Sequence, residues 1–127
     1  MPVVVDATHF ISLVNKGDRH HRAAKRSQER LGGKHKLYTT LLVLGEVSAV
    51  LGPSLGGKLT KRILDGIRAD VSVLHPGAAE LDDAMGFFLK YDGKLSLSDA
   101  LLLVYAQQMQ ASILSYDAGF QGKADLF

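Results

Sequence analysis

The chain has 127 residues, 46% hydrophobic and 22% charged, with no cysteine and a formal net charge of +2. This length suits one folding unit spanning residues 1–127, and the missing cysteines exclude disulfides, thiolate metal sites and a cysteine nucleophile. No run reaches the roughly eighteen apolar residues of a membrane span, and Met1 to Asp6 lacks the basic region and long apolar stretch of a signal peptide, so a cytoplasmic location and no membrane partner are expected.

In chain order, Val3-Val4-Val5 is a β-branched run ending in Asp6, the pattern of a strand buried on both faces with an acid at its carboxyl end. Thr8 to Val14 reads as a short helix. After the Lys16-Gly17-Asp18 break, His20 to Leu31 reads as a basic helix stopped by Gly32-Gly33. Lys36 to Thr39 is the second strand, and Leu41 to Leu51 a strongly apolar helix expected to end at Gly52-Pro53. Gly56-Gly57 belongs to a loop or a weak helix start. Lys58 to Ala69 has helical composition, Val71 to Leu74 alternates like a strand, and Pro76 suits the first turn of a helix running to Tyr91. The Asp92-Gly93 turn leads to a helix over Ser98 to Gln110, and Ser112 to Ser115 is the last strand. Such alternation of strands and helices predicts an α/β fold, a three-layer α/β/α sandwich with a mostly parallel central sheet.

The net charge conceals a division. Residues 1–68 hold twelve Lys/Arg against five Asp/Glu, whereas residues 69–127 hold three against eight. Eight of the fifteen basic residues lie between Lys16 and Lys36, which suits contact with a polyanion if they share a face.

Four acids stand in unusual surroundings. Ligands of an open parallel sheet bind beyond the carboxyl ends of its strands, where Asp6 and Asp117 fall, although an Asp after a strand also serves as a helix cap or turn residue. Helical spacing surrounds Glu46 with Leu42, Val43, Ala49 and Val50, and its own helix offers no basic partner. A desolvated carboxylate costs several kcal/mol unless compensated. Asp99 has Leu102, Leu103 and Ala106 on its face, while Ser96 as N-cap with Asp99 in the first turn fits a capping arrangement. If the four converge, each like-charged pair at ~4 Å repels by about 4 kcal/mol at an effective dielectric of 20, so a cation or bound protons must be present. Oxygen-only ligands suit Mg²⁺ or Mn²⁺.

The motifs Val3-Val4-Val5-Asp6-Ala7-Thr8, Asp18-Arg19-His20-His21-Arg22-Ala23-Ala24, Leu44-Gly45-Glu46-Val47, Leu97-Ser98-Asp99-Ala100 and Ile113-Leu114-Ser115-Tyr116-Asp117-Ala118-Gly119-Phe120 together give the chain its resemblance to a known family. It resembles the PIN-domain family along nearly its whole length, particularly the VapC-type toxins of toxin–antitoxin pairs. That resemblance implies that Asp6, Glu46, Asp99 and Asp117 are the metal-binding and catalytic acids, assisted through hydrogen bonds by Thr8 and Ser115. It further implies Mg²⁺- or Mn²⁺-dependent hydrolysis of RNA phosphodiesters and a small antitoxin as partner. His20 and His21 read as packing and capping residues. Two departures stand out: Ala118-Gly119 replaces the basic residue that many relatives carry after the fourth acid, and the end at Phe127 leaves little room for a full final strand.

Other readings use the same residues. A metal-dependent phosphatase or DNA nuclease could be built on the same acids, and a catalytically silent module of the same fold would act by binding alone. A phospho-acceptor receiver domain would want paired acids after the first strand and a late Lys, where Asp6 stands alone and Ser115-Tyr116-Asp117 offers none. The apolar helices Leu41–Leu51 and Leu97–Ala106 hold more hydrophobic residues than one monomer face needs, which suggests a homodimer.

Overall fold

A computed structural model describes all 127 residues. The elements in order are β1 (Pro2–Val5), α1 (Ala7–Val14), α2 (His21–Leu31), β2 (Lys36–Thr40), α3 (Leu41–Leu55), α4 (Gly57–Asp70), β3 (Ser72–Leu74), α5 (Ala78–Lys90), α6 (Leu97–Met109), β4 (Ser112–Leu114) and a 3₁₀ turn at Ala118–Phe120. The four strands form one sheet in the order β3-β2-β1-β4, and every pairing is parallel.

Strand β1 shows why the fold has three layers. Successive strand residues point to opposite faces, yet Val3, Val4 and Val5 are all essentially inaccessible to solvent. Both faces must therefore be covered. The steps β1 to β2 to β3 move in one direction across the sheet, and β3 to β4 returns past β2 and β1. Right-handed crossovers then put α1 to α4 on one face and α5 and α6 on the other. The packing agrees: α1 lies against α2 and α3, α3 against α4, and α5 against α6, with α6 seated on β1, β2 and β4.

Several boundaries differ from the sequence reading. Helix α3 passes through Gly52-Pro53 and ends at Leu55. A proline disfavours helical geometry in the residue before it through contact with that residue's Cβ, and glycine has none. The helical ladder resumes beyond it with Gly56 N–H donating to the Gly52 carbonyl at 2.8 Å. Pro76 lies outside α5, which begins at Ala78, because Glu80 turns back to accept from the Gly77 N–H at 3.1 Å and sets the start there. Strand β4 stops at Leu114, leaving Ser115 in the loop. At the chain's end Ile113 N–H donates to the Asp125 carbonyl (2.8 Å) and Phe127 N–H to the Ile113 carbonyl (2.9 Å), so the last residues add a single bridge beyond β4.

The surplus of apolar residues on α6 is consumed within the chain. Ser98 to Ala106 are all buried, making α6 the central helix of its layer and removing it as a free face for a second copy. Exposed apolar side chains are found elsewhere, at Leu41 and Val50 on α3 and at Met85 and Leu89 on α5. No helix is long and apolar enough to cross a membrane.

Thr40 joins β2 to α3, and its Oγ1 accepts from Val43 N–H at 3.3 Å while the residue itself is fully buried. Thr40→Ala is expected to cost about 1 kcal/mol, read as a lower urea midpoint with an unchanged slope. An unaltered midpoint would show that α3 starts without this cap.

Candidate active site

The carboxyl ends of β1 and β4 meet through their register, which pairs Val5 with Leu114. Chain beyond β1 crosses toward β2, while chain beyond β4 goes the opposite way to its bridge with Leu126. A crevice opens at such a switch point. Asp6 N–H donates to the Leu114 carbonyl at 2.9 Å, which fixes the first acid beside the second loop.

Asp6 occupies the N-cap position of α1 but caps nothing. Its Oδ2 instead accepts from Ser115 Oγ at 2.7 Å and from Thr8 Oγ1 at 3.0 Å. Those hydroxyls are held in turn, because Thr8 Oγ1 accepts from Tyr116 N–H and Ser115 Oγ from Asp117 N–H, each at 3.0 Å. Asp6 is 2% exposed, so its carboxylate is rigidly aimed and withdrawn from bulk water.

Glu46 projects from α3 toward the same crevice. Its Oε1 is buried without any hydrogen-bond partner, as is Ser98 Oγ on α6. Burial pushes the Glu46 carboxyl upward from its ordinary range and the charge of Asp6 adds to this, whereas the nearby Ser98 hydroxyl acts in the opposite sense. No basic side chain compensates it, since the one ion pair in the chain joins Lys61 to Asp65 on α4.

Asp99 sits in the first turn of α6, whose N-cap Ser96 accepts from the Asp99 N–H at 3.0 Å. It is pushed up to about 7, first by burial and then by the charges of Asp6, Asp117 and Glu46. One carboxyl therefore feels all three others. Asp117 is exposed and also performs the ordinary turn role, its Oδ1 accepting from Gly119 N–H at 2.9 Å. The cluster thus opens to solvent on the β4 side.

The four carboxylates share one electrostatic field but stand apart. Nowhere do three His, Asp or Glu side chains approach closely enough to hold one ion between them, a spacing in keeping with mutual repulsion. The donor chemistry nevertheless fits a hard divalent cation, because all donors are oxygens and the buried Glu46 Oε1 is left without a hydrogen-bond partner.

A second layer of polar residues escaped the sequence reading. His9 is buried, with Nδ1 3.2 Å from Tyr116 Oη and Nε2 3.0 Å from Gln28 Oε1. Burial pushes its imidazole down, so it is neutral at pH 7 despite the Gln28 bond, which acts the other way. Tyr116 also donates to Ser27 Oγ at 3.0 Å and stacks on His20, with ring centroids 5.3 Å apart. His21 Nδ1 lies 2.8 Å from the Ser12 carbonyl and Asp18 Oδ1 accepts from His20 N–H. The two histidines thus fasten the start of α2. Further along α2, Arg26 and Arg30 act electrostatically on the Tyr116 hydroxyl, and the Arg30 guanidinium lies over the Phe127 ring, 4.4 Å from its centroid.

Comparison with known proteins follows the same outline. The sequence profile of the PIN domain matches residues 3–126. Compared with curated proteins by sequence, the chain matches none. Among solved structures it is similar to VapC20 of Mycobacterium tuberculosis, a sarcin–ricin loop cleaving toxin, with 23% identity, a TM-score of 0.85 and coverage of 98% of this chain and 96% of that one. It is also similar to VapBC2 from Rickettsia felis bound to a promoter DNA fragment, with 14% identity, a TM-score of 0.75 and coverage of 100% and 98%. For VapBC-1 from nontypeable Haemophilus influenzae the identity is 15% and the TM-score 0.71, covering 100% and 97% of the two chains.

Proposed function

The chain belongs to the PIN domain family, and from that premise we propose that it is a Mg²⁺- or Mn²⁺-dependent endoribonuclease and the toxin of a toxin–antitoxin pair. The observation that carries this reading is Asp99, a buried carboxyl brought to about 7 by burial together with three other acids. Carboxylates are gathered at such a cost where a cation or proton transfer needs them. Support also comes from the described relatives, one an RNA-loop cleaving toxin and others solved as VapBC complexes.

Asp6, Glu46, Asp99 and Asp117 would hold the ion, drawing together from their spaced positions. A bound Mg²⁺ or Mn²⁺ supplies a polarised water for in-line attack and offsets charge on the transferring phosphoryl group. The chain's own residues do the rest. Thr8 and Ser115 fix the Asp6 carboxylate in one orientation, Glu46 Oε1 presents an acceptor free of other bonds, and Asp99 is the carboxyl most ready to exchange a proton for a cation. The basic α2 beside Tyr116 provides attraction for the RNA backbone. The same reading makes the protein a cytoplasmic single-domain nuclease bound by a small antitoxin, and homodimeric through exposed apolar positions such as Leu41, Val50, Met85 and Leu89. Sedimentation at tens of micromolar tests the dimer, and a purely monomeric boundary removes it.

The test of the activity is cleavage of a mixed single-stranded RNA pool with Mn²⁺ or Mg²⁺, set against EDTA. Metal-dependent cleavage is expected; a folded, antitoxin-free protein that cleaves nothing would point to a silent binding module. A companion expectation concerns Ser115→Ala, which removes the 2.7 Å bond to Asp6. Losing a group that orients a metal ligand weakens metal binding by roughly tenfold, to be read by Mn²⁺ titration calorimetry. Unchanged affinity would mean that Thr8 alone orients Asp6.

A further inference from the structure

The second half of the chain, residues 69–127, is acidic and carries only three basic side chains, Lys90, Lys94 and Lys123. All three line a single cavity of about 480 Å³, formed between the end of α5, the loop into α6 and the 3₁₀ turn after Asp117. One acid, Asp92, shares the lining, and none of the three amines is ion-paired, since the chain's one ion pair lies on α4. Three cations thus share this lining with one acid, an excess of positive charge in an otherwise acidic region that favours an anion.

The cavity is joined to the acid site by two short links. Lys123 Nζ donates to the Gly119 carbonyl at 2.8 Å, and Gly119 N–H donates to Asp117 Oδ1 at 2.9 Å. A Cβ at Gly119 would stand 3.3 Å from Asp117 Oδ1 and 3.4 Å from Leu95, so the missing side chain lets the lysine-bearing turn close onto the acid. Lys123 is further held over the Tyr91 ring, 4.8 Å from its centroid, with Lys90 5.5 Å from the same centroid.

We propose that Lys94 and Lys123, with Lys90, form a phosphate subsite for the substrate strand on the Asp117 side of the scissile bond. This rests on the nuclease reading and specifies how the polyanion is held there.

The experiment measures binding of a short fluorescein-labelled single-stranded RNA by anisotropy over a range of salt, in an Asp99→Asn background that blocks turnover. The slope of log affinity against log salt is expected to flatten by about 1.4 on adding K94Q and K123Q, about 0.7 for each lost phosphate contact. Lys94→Gln alone is expected to give half that change, and covers the case in which losing the Lys123 bond unsettles the loop. Lys58→Gln, outside the cavity, is expected to leave the slope unaltered. RNA binding with the same slope in the lysine variants overturns the subsite alone, while a chain that binds no RNA overturns the nuclease reading and the subsite together. If the lysines serve an acidic protein partner instead, the variants lose binding to poly-glutamate with the RNA slope unchanged, which also overturns the proposal.

Discussion

Asp99→Asn is expected to lower metal-dependent RNA cleavage by about 10³-fold, the scale on which loss of a group acting in proton transfer or charge stabilisation is felt. The substitution keeps size and shape, and the Ser96 cap survives because it uses the Asp99 backbone N–H. What disappears is a negative charge within the field of three others. Without the ion that charge is a burden, so the same variant is expected to melt at a higher temperature than the parent in EDTA. Loss of activity with gained stability separates a site residue from a structural one. Two measurements decide it: initial cleavage rates with Mn²⁺, and thermal melts in EDTA at pH 8. Full activity in the variant would remove Asp99 from the chemistry, and a lowered melting temperature would show the carboxylate to be part of the scaffold.

Stability of the metal-free protein is expected to fall as pH rises from about 4 to about 7. The sign follows from proton counting. The Asp99 carboxyl titrates at its ordinary 3.8 when unfolded and at about 7 when folded. Between those values the folded chain holds the proton and the unfolded chain does not, so each rise in pH favours unfolding. Below the window both states are protonated; above it the full penalty is present. The difference of about three units corresponds to about 4 kcal/mol at most, and Glu46, also raised by burial, acts in the same direction. His9 adds a smaller opposing trend, because its folded pKa lies below its ordinary value and its neutral form gains as pH rises. Urea midpoints from pH 4 to 8 in EDTA measure the net effect. Saturating Mn²⁺ should restore stability at pH 7 to 8 by binding only the folded state, and Asp99→Asn should flatten the profile. A flat profile in the parent protein would mean that neither burial nor the neighbouring acids raise the Asp99 carboxyl.

Much of the architecture was legible because local chemistry and tertiary setting agree. Val3-Val4-Val5 reads as a doubly buried strand since both faces of β1 are covered, and the Ser96 cap with Asp99 in the first turn was visible as a spacing. Where they disagree, the reading missed. Gly52-Pro53 looks like a helix stop, yet Pro53 stands in the last turn of α3, where its missing N–H removes a single ladder bond and Gly52 adds no Cβ to clash with its ring. The apolar surface of α6 looked like a partner face, but a helix lying across β1, β2 and β4 needs its apolar residues for its own sheet.

The candidate site divides along the same line. By itself the sequence determined that four acids lie in apolar or strand-end settings, that basic residues crowd into the first half, and that only three lysines populate the second. Side-chain type and helical period suffice for those statements, since they need only neighbours a turn away. Tertiary structure alone decided that Val5 and Leu114 lie side by side, that Asp99 feels Asp6, Asp117 and Glu46, and that Lys123 folds back onto Gly119. These contacts join residues from separate elements, and they depend on strand order, register and crossover hand. Those are set by burying both faces of the sheet at once, a constraint that no short stretch of sequence carries.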